Sequence, residues 1–266
     1  MVQEGFALHP LWSAKYGEGA LFATALHSGH DIRHELSGLL LIDENSRLRE
    51  EDPFTDELAN ICPNFLIPTR SRFEVDLNRT RSEAVYQRPE DAWGLHIWKK
   101  RLDKEIVQRS LEEFDQFYDE IEHRLRQLER EYCHFVAFDL HSYNHRRNGP
   151  EKPPEDPEKN PEINIGTGTM DRRRWAHLVD HFMSDLRGYN YQGRHLDVRE
   201  NVKFMGRQFA TFVHKRFPRS GCVLSVEIKK FFMDEWTGRL DKNKFNAIID
   251  ALKSTIPGIQ EELNSL

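Results

Sequence analysis

Two apolar runs of strand length end in the same dipeptide. Residues 20–26 read as a buried strand that stops at His27-Ser28-Gly29-His30, and residues 134–140 read as a second that stops at His141-Ser142. Between them the pattern changes period. Phe114, Phe117, Tyr118, Ile121, Leu125, Leu128 and Tyr132 recur at helical spacing, with Glu and Arg on the other face, which predicts an amphipathic helix over 102–132. A strand, a long excursion containing a helix, and a second buried strand together indicate a parallel or mixed sheet.

The remaining elements are weaker. Residues 65–68 and 72–79 read as short strands, 36–42 as a strand or a turn-rich edge, and 223–228 as a β-branched strand interrupted by Glu227. Helices are expected over 171–187 and 242–252. Residues 202–217 read as a helix or a strand-turn element, because Gly206 weakens the helical pattern. Residues 144–164 hold five prolines among Glu, Lys and Asn, a composition that supports neither a helix interior nor a central strand. That segment is expected to be a long loop directly after the His141 strand, and loops of this length are usually functional or disordered. The first 20 residues are mixed, with Trp12 and Tyr16 placed to pack against the body. The sum is one α/β domain over 1–266.

Charge and cysteine content narrow the class. The 266 residues carry a net charge of −6 with both signs interspersed, so no basic stripe points to nucleic acid. No leader pattern opens the chain and no apolar run reaches membrane-span length, so no membrane partner is expected. Three isolated cysteines, Cys62, Cys133 and Cys222, suit a reduced cytoplasmic protein with structural thiols.

Chemistry is sought at the strand ends. In open α/β sheets ligands collect at the carboxyl edge, and two imidazoles delivered there suit a metal such as zinc. A third ligand is then required. His30 lies close to His27 in sequence; the acidic stretch 43–60 offers Asp52 or Asp56 instead. Glu227 is a carboxylate inside a hydrophobic strand, costly unless paired or put to use, and a general base is one such use. Asn78-Arg79 can clamp a carboxylate, and Arg72 can polarise a carbonyl oxygen or add a second clamp.

His27-Ser-Gly, Ser71-Arg72-Phe-Glu-Val-Asp76-Leu-Asn78-Arg79, Asp139-Leu-His141-Ser142, Asn164-Ile-Gly166-Thr167, Leu224-Ser-Val-Glu227 and Met233-Asp-Glu235, in this order, resemble the N-formylglutamate amidohydrolase family. That family is more distantly similar to zinc carboxypeptidases and aspartoacylases. The resemblance implies a mixed, mostly parallel sheet of about eight strands flanked by helices, the zinc-carboxypeptidase-like, phosphorylase/hydrolase-like arrangement. It implies one zinc ion and hydrolysis of the amide bond of an N-acyl acidic amino acid, with a small-molecule carboxylate as substrate. By position, His27 and His141 would be zinc ligands, Glu227 the general base, Asn78 and Arg79 the carboxylate clamp, and Arg72 the oxyanion or second-carboxylate group. Two alternatives use the same residues: a carboxypeptidase-like hydrolase of peptide or peptidoglycan fragments, and a non-catalytic metal- or ligand-binding relative.

Overall fold

The computed structural model describes residues 5–266. One sheet of eight strands runs through it. In chain order these are β1 (Gly5–His9), β2 (Trp12–Tyr16), β3 (Leu21–Thr24), β4 (Asn64–Pro68), β5 (Phe135–Tyr143), β6 (Ile163–Gly166), β7 (Val198–Glu200) and β8 (Gly221–Lys229). Their spatial order is β1-β2-β4-β3-β5-β8-β6-β7. The centre, β4-β3-β5-β8, is parallel; β1, β2 and β6 add antiparallel pairings. The helices are α1 (His34–Ser37), α2 (Glu44–Glu50), α3 (Thr55–Leu58), α4 (Lys104–Tyr132), α5 (Ala176–Gly188), α6 (Gln208–Arg216), α7 (Lys242–Ser254) and α8 (Ile256–Asn264). The architecture is the expected α/β fold with a mixed, mostly parallel sheet between helices. Among the described residues no helix is long and apolar enough to cross a membrane.

The alternation of β5 builds both cores. Val136, Phe138 and Leu140 face one layer with α5, α7 and α8; Phe135 and Ala137 face the other with α4 and α6. All nine residues of β5 are buried, as a central parallel strand covered on both faces must be. The α4 stripe sits where its periodicity placed it, with Phe114, Phe117, Ile121 and Leu125 buried against the sheet.

Several elements differ from expectation. Residues 72–79 form turns, because their peptide groups bond locally: Glu74 N–H donates to Ser71 O at 2.9 Å and Arg79 N–H to Asp76 O at 3.2 Å. The apolar and polar positions alternate in sequence, but Arg72, Glu74 and Asp76 are buried along with Phe73, Val75 and Leu77, so the alternation does not mark an exposed strand face. Part of 36–42 is helical, with Leu36 in α1. Over 202–217 the helix begins only at Gln208, after Gly206 at φ +89°. The outer strands β1, β2, β6 and β7 were not read from pattern, being three to five residues long. Residues 144–162 are irregular apart from a single 3-10 turn.

Candidate metal and substrate site

Parallel strands β3, β5 and β8 end on one edge of the sheet, and the site lies there. His141 on β5 is in register with Glu227 on β8, and His27 follows the end of β3. The turn after His27 depends on Gly29. A Cβ there would meet Arg70 O at 2.4 Å, so only glycine lets the loop run along Thr69-Arg70, where Asp31 N–H donates to Thr69 O at 2.9 Å.

Asp52 closes the cluster. Its Oδ2 stands 3.3 Å from His27 Nδ1 and 3.0 Å from His141 Nδ1, and one ligand atom from each residue lies within 4.8 Å of the others. All three side chains are buried. The acidic segment is carried to this edge by its backbone: Asp52 N–H donates to His27 O at 2.9 Å, and the buried Lys230 ammonium bonds the carbonyls of Arg49 and Glu51 at 2.7 Å each. Burial lowers Lys230 to about 8 against the opposing pull of Asp52, Glu50 and Glu235.

Each imidazole is held by a carboxylate on its far nitrogen. His27 Nε2 is 2.8 Å from Asp76 Oδ1, and His141 Nε2 is 2.9 Å from Asp139 Oδ1. Donation of Nε2–H to these carboxylates would leave the two Nδ1 atoms, which face Asp52, free to ligate a metal. Asp76 is itself fixed by Arg72 Nη2 at 2.9 Å and by the Tyr86 hydroxyl; Asp139 accepts from Ser225 Oγ at 3.1 Å. The charges reinforce one another. Burial opposes ionisation of Asp52, yet His141 and His27 hold its carboxyl well below the usual range. Burial likewise opposes charge on His141, but Asp139, Glu227 and Asp52 push its pKa well above that of a free imidazole.

Glu227 lines the same cavity, partly open to it. Burial raises it to about 7; His141 and Arg207 pull it down, while Asp52 and Asp139 push it up. Arg72 also lines the cavity, its guanidinium 4.8 Å from the Trp93 ring centre and its Nε without a partner among the described residues.

Three sequence-derived candidates lie differently. His30 is not part of the cluster: its Nδ1 is 2.5 Å from Glu51 Oε2, its Nε2 bonds Glu44, and Arg47 sits against both acids. Asp56 is exposed on α3, so of the two aspartates only Asp52 faces the histidines. Arg79 points to the Asp91 carbonyl at 3.0 Å and over the Tyr86 ring at 5.1 Å, outside the cavity lining, whereas its neighbour Asn78 lines it beside His141.

Other lining residues were not read from sequence: Trp93, Ser142, Asn144, Arg147, Phe204, Arg207 and Lys230. Motif residues quoted without a role place some of them. Asn164 Oδ1 accepts the N–H groups of Val202 and Lys203 at 2.9 and 2.8 Å, and Gly166 packs so closely on Gly206 that a Cβ would meet its nitrogen at 2.5 Å. Those contacts pin the 202–207 loop that supplies Phe204 and Arg207. Glu235 accepts the N–H groups of His145 and Arg146 at 2.8 Å each, which fixes the loop leading to Arg147.

The sequence matches the N-formylglutamate amidohydrolase family over residues 20–233. None of the curated proteins matches it. Among solved structures, the N-formylglutamate amidohydrolase of Ralstonia eutropha JMP134 is similar at TM-score 0.75 and 18% identity, with 96% of this chain and 99% of that one covered. A gene product of Agrobacterium tumefaciens is similar at TM-score 0.69 and 16% identity, with 96% of each chain covered.

Proposed function

Since the chain belongs to the N-formylglutamate amidohydrolase family, a family of enzymes that hydrolyse amide C–N bonds, we propose that it hydrolyses the amide of an N-formyl-like acidic amino acid with the help of one zinc ion. The observation that carries this reading is the convergence of His27 Nδ1, His141 Nδ1 and an Asp52 oxygen beside Glu227. Two imidazoles and one carboxylate fit a catalytic zinc, which takes three protein ligands and keeps a further position open. When bound, the ion would acidify water and polarise the scissile carbonyl.

The protein's own groups complete the chemistry. Glu227 takes a proton from the attacking water and returns it to the departing amine, a role suited to a carboxylate raised to about 7. Arg72 stabilises the developing negative oxygen through N–H groups beyond those held by Asp76. Asn78 and Arg79 hold the substrate carboxylate. Arg79 reaches it by exchanging the Asp91 carbonyl for a charged, stronger acceptor.

The test is hydrolysis of N-formyl-L-glutamate, beside acetyl and dipeptide analogues, by zinc-loaded protein and by Glu227→Gln. The variant should bind zinc with its fold intact and lose about 10³-fold in kcat. Turnover retained in Glu227→Gln removes Glu227 from the reaction, and no turnover of any amide by the zinc-loaded wild type removes the reading.

A further inference from the structure

Four cationic side chains line the cavity: Arg72, Arg147, Arg207 and Lys230. Arg72 is engaged by Asp76 at 2.9 Å and Arg147 by Glu50 at 3.3 Å. Arg207 has no carboxylate partner among the described residues but is exposed, whereas Lys230 is buried. It is 1% exposed, and among the described residues its acceptors are two backbone carbonyls rather than a carboxylate. Asp52, Glu50 and Glu235 act on it only from beyond ion-pair distance, and a buried ammonium held by carbonyl dipoles alone gains from a carboxylate in direct contact. An ammonium has three N–H groups, so one is left after the Arg49 and Glu51 bonds.

The wall beside it has unfilled capacity too. Ser142 and Asn144 are 5% and 2% exposed and line the same cavity, yet Ser142 Oγ and Asn144 Oδ1 have no hydrogen-bond partner among the described residues. Buried polar atoms of that kind normally have one. Their position follows from strand register. Tyr143 pairs with Lys229, so Asn144 and Lys230 come next along the two parallel strands. Side chains alternate, so Ser142, Asn144 and Lys230 belong to the opposite parity from His141 and Glu227. The cavity therefore has two sets of lining groups from these strands: one carries His141 and the base, the other an ammonium with no carboxylate in direct contact, a hydroxyl and a carboxamide.

We propose that Lys230 and Ser142, with Asn144 beside them, form the subsite that reads the side-chain carboxylate of the acidic substrate. The Lys230 N–H and the Ser142 hydroxyl donate to its two oxygens. Asn144 presents either end of its carboxamide to the neighbouring polar atoms of the substrate. The inference rests on the proposed reaction and names what sets its preference for an acidic residue. Charge is the criterion: a neutral amide side chain of the same shape leaves Lys230 buried with no carboxylate in direct contact.

The experiment compares kcat/KM for N-formyl-L-glutamate with that for N-formyl-L-glutamine in wild type, Lys230→Met and Ser142→Ala. Effects of Lys230 on the 49–51 backbone touch both substrates and cancel in the ratio. The ratio should fall by about 10- to 100-fold in Lys230→Met and by about threefold in Ser142→Ala, mainly through KM for the acid. A ratio unchanged in both overturns the subsite; where Lys230→Met has no measurable turnover, the Ser142→Ala ratio decides. Calorimetry with L-glutamate and L-glutamine separates this inference from the reaction. If wild type hydrolyses neither formyl substrate, a preference for glutamate that Lys230→Met abolishes still supports the subsite. Equal binding of the two by wild type overturns it.

Discussion

Two histidines near each other in sequence, each flanked by two carboxylates, do different things in this molecule. His27 is buried, and it shares an aspartate with His141 while a second aspartate holds its far nitrogen. His30 is 36% exposed in its side chain and sits between Glu44 and Glu51, but a guanidinium completes its neighbourhood: Arg47 lies 3.3 Å from Glu44 and 3.5 Å from Glu51. The composition of the two clusters is similar; their charge balance is not. At His30, the imidazolium and Arg47 already match the two acids. At His27, two imidazoles and one shared carboxylate turn ligand atoms to a common place, an arrangement that a dication would complete. Convergence of ligand atoms with a charge left over, rather than a count of His and Asp, separates a metal site from an ion-pair cluster.

The largest expected effects would break this distinction outright. His141→Ala or Asp52→Asn should abolish zinc uptake in equilibrium dialysis, whereas His30→Ala should still bind about one zinc per chain. Loss of zinc in His30→Ala alone would reverse the assignment of the two clusters. A smaller effect concerns the far nitrogens. Asp139→Ala removes the acceptor on His141 Nε2 and should weaken zinc binding by about 10- to 100-fold. An unchanged dissociation constant would mean that the tautomer is set elsewhere.

A third effect follows from protons. Burial opposes charge on His141, but Asp139, Glu227 and Asp52 raise its pKa well above the ordinary value, so a metal has to displace a proton that the ring holds more tightly than a free imidazole does. Ligation requires the neutral ring. Zinc affinity should therefore rise with pH, by about tenfold per unit for the one proton displaced, until the raised pKa is passed. Calorimetry in buffers of different ionisation enthalpy reads the proton released. Affinity flat from pH 6 to pH 8 would show that His141 is already neutral.

Much of this was legible in the sequence, and the reason is local. His27, His141 and Glu227 are read because each interrupts or ends an apolar strand, and β3, β5 and β8 are central strands whose apolar runs carry strong signal. Asp52 could be no more than an alternative to Asp56, because its place is set by contacts distant in the chain: its N–H on His27 O, and the Lys230 staple on either side of Glu50. His30 was the natural third ligand by spacing. Gly29 overrides that spacing by pressing the turn onto Thr69-Arg70 and sending the following histidine over α2. The 72–79 segment shows the converse limit: an alternating sequence also suits turns buried on every side, where Arg72, Glu74 and Asp76 are held inside by polar partners, and the backbone bonds decide between the two.

The smallest prediction tests the other half of the comparison, that His30 is an ion-pair partner and nothing more. Its pKa is raised by its bond to Glu51, against burial, with Glu44 adding to the rise. A histidine whose folded pKa lies above its unfolded value contributes stability that is fully present below the unfolded pKa and is lost as pH rises through the folded one. Because the side chain is 36% exposed and the Glu44 partner more so, screening limits the contribution to about 0.5–1 kcal/mol. His30→Ala should therefore lower Tm by about 1–3 °C at pH 6, and by less once the pH has risen through the raised folded pKa. The opposite trend, a deficit that grows with pH, would mean that the neutral ring is the form the fold uses. His30 would then share with His27 and His141 the property that the geometry reserves for those two.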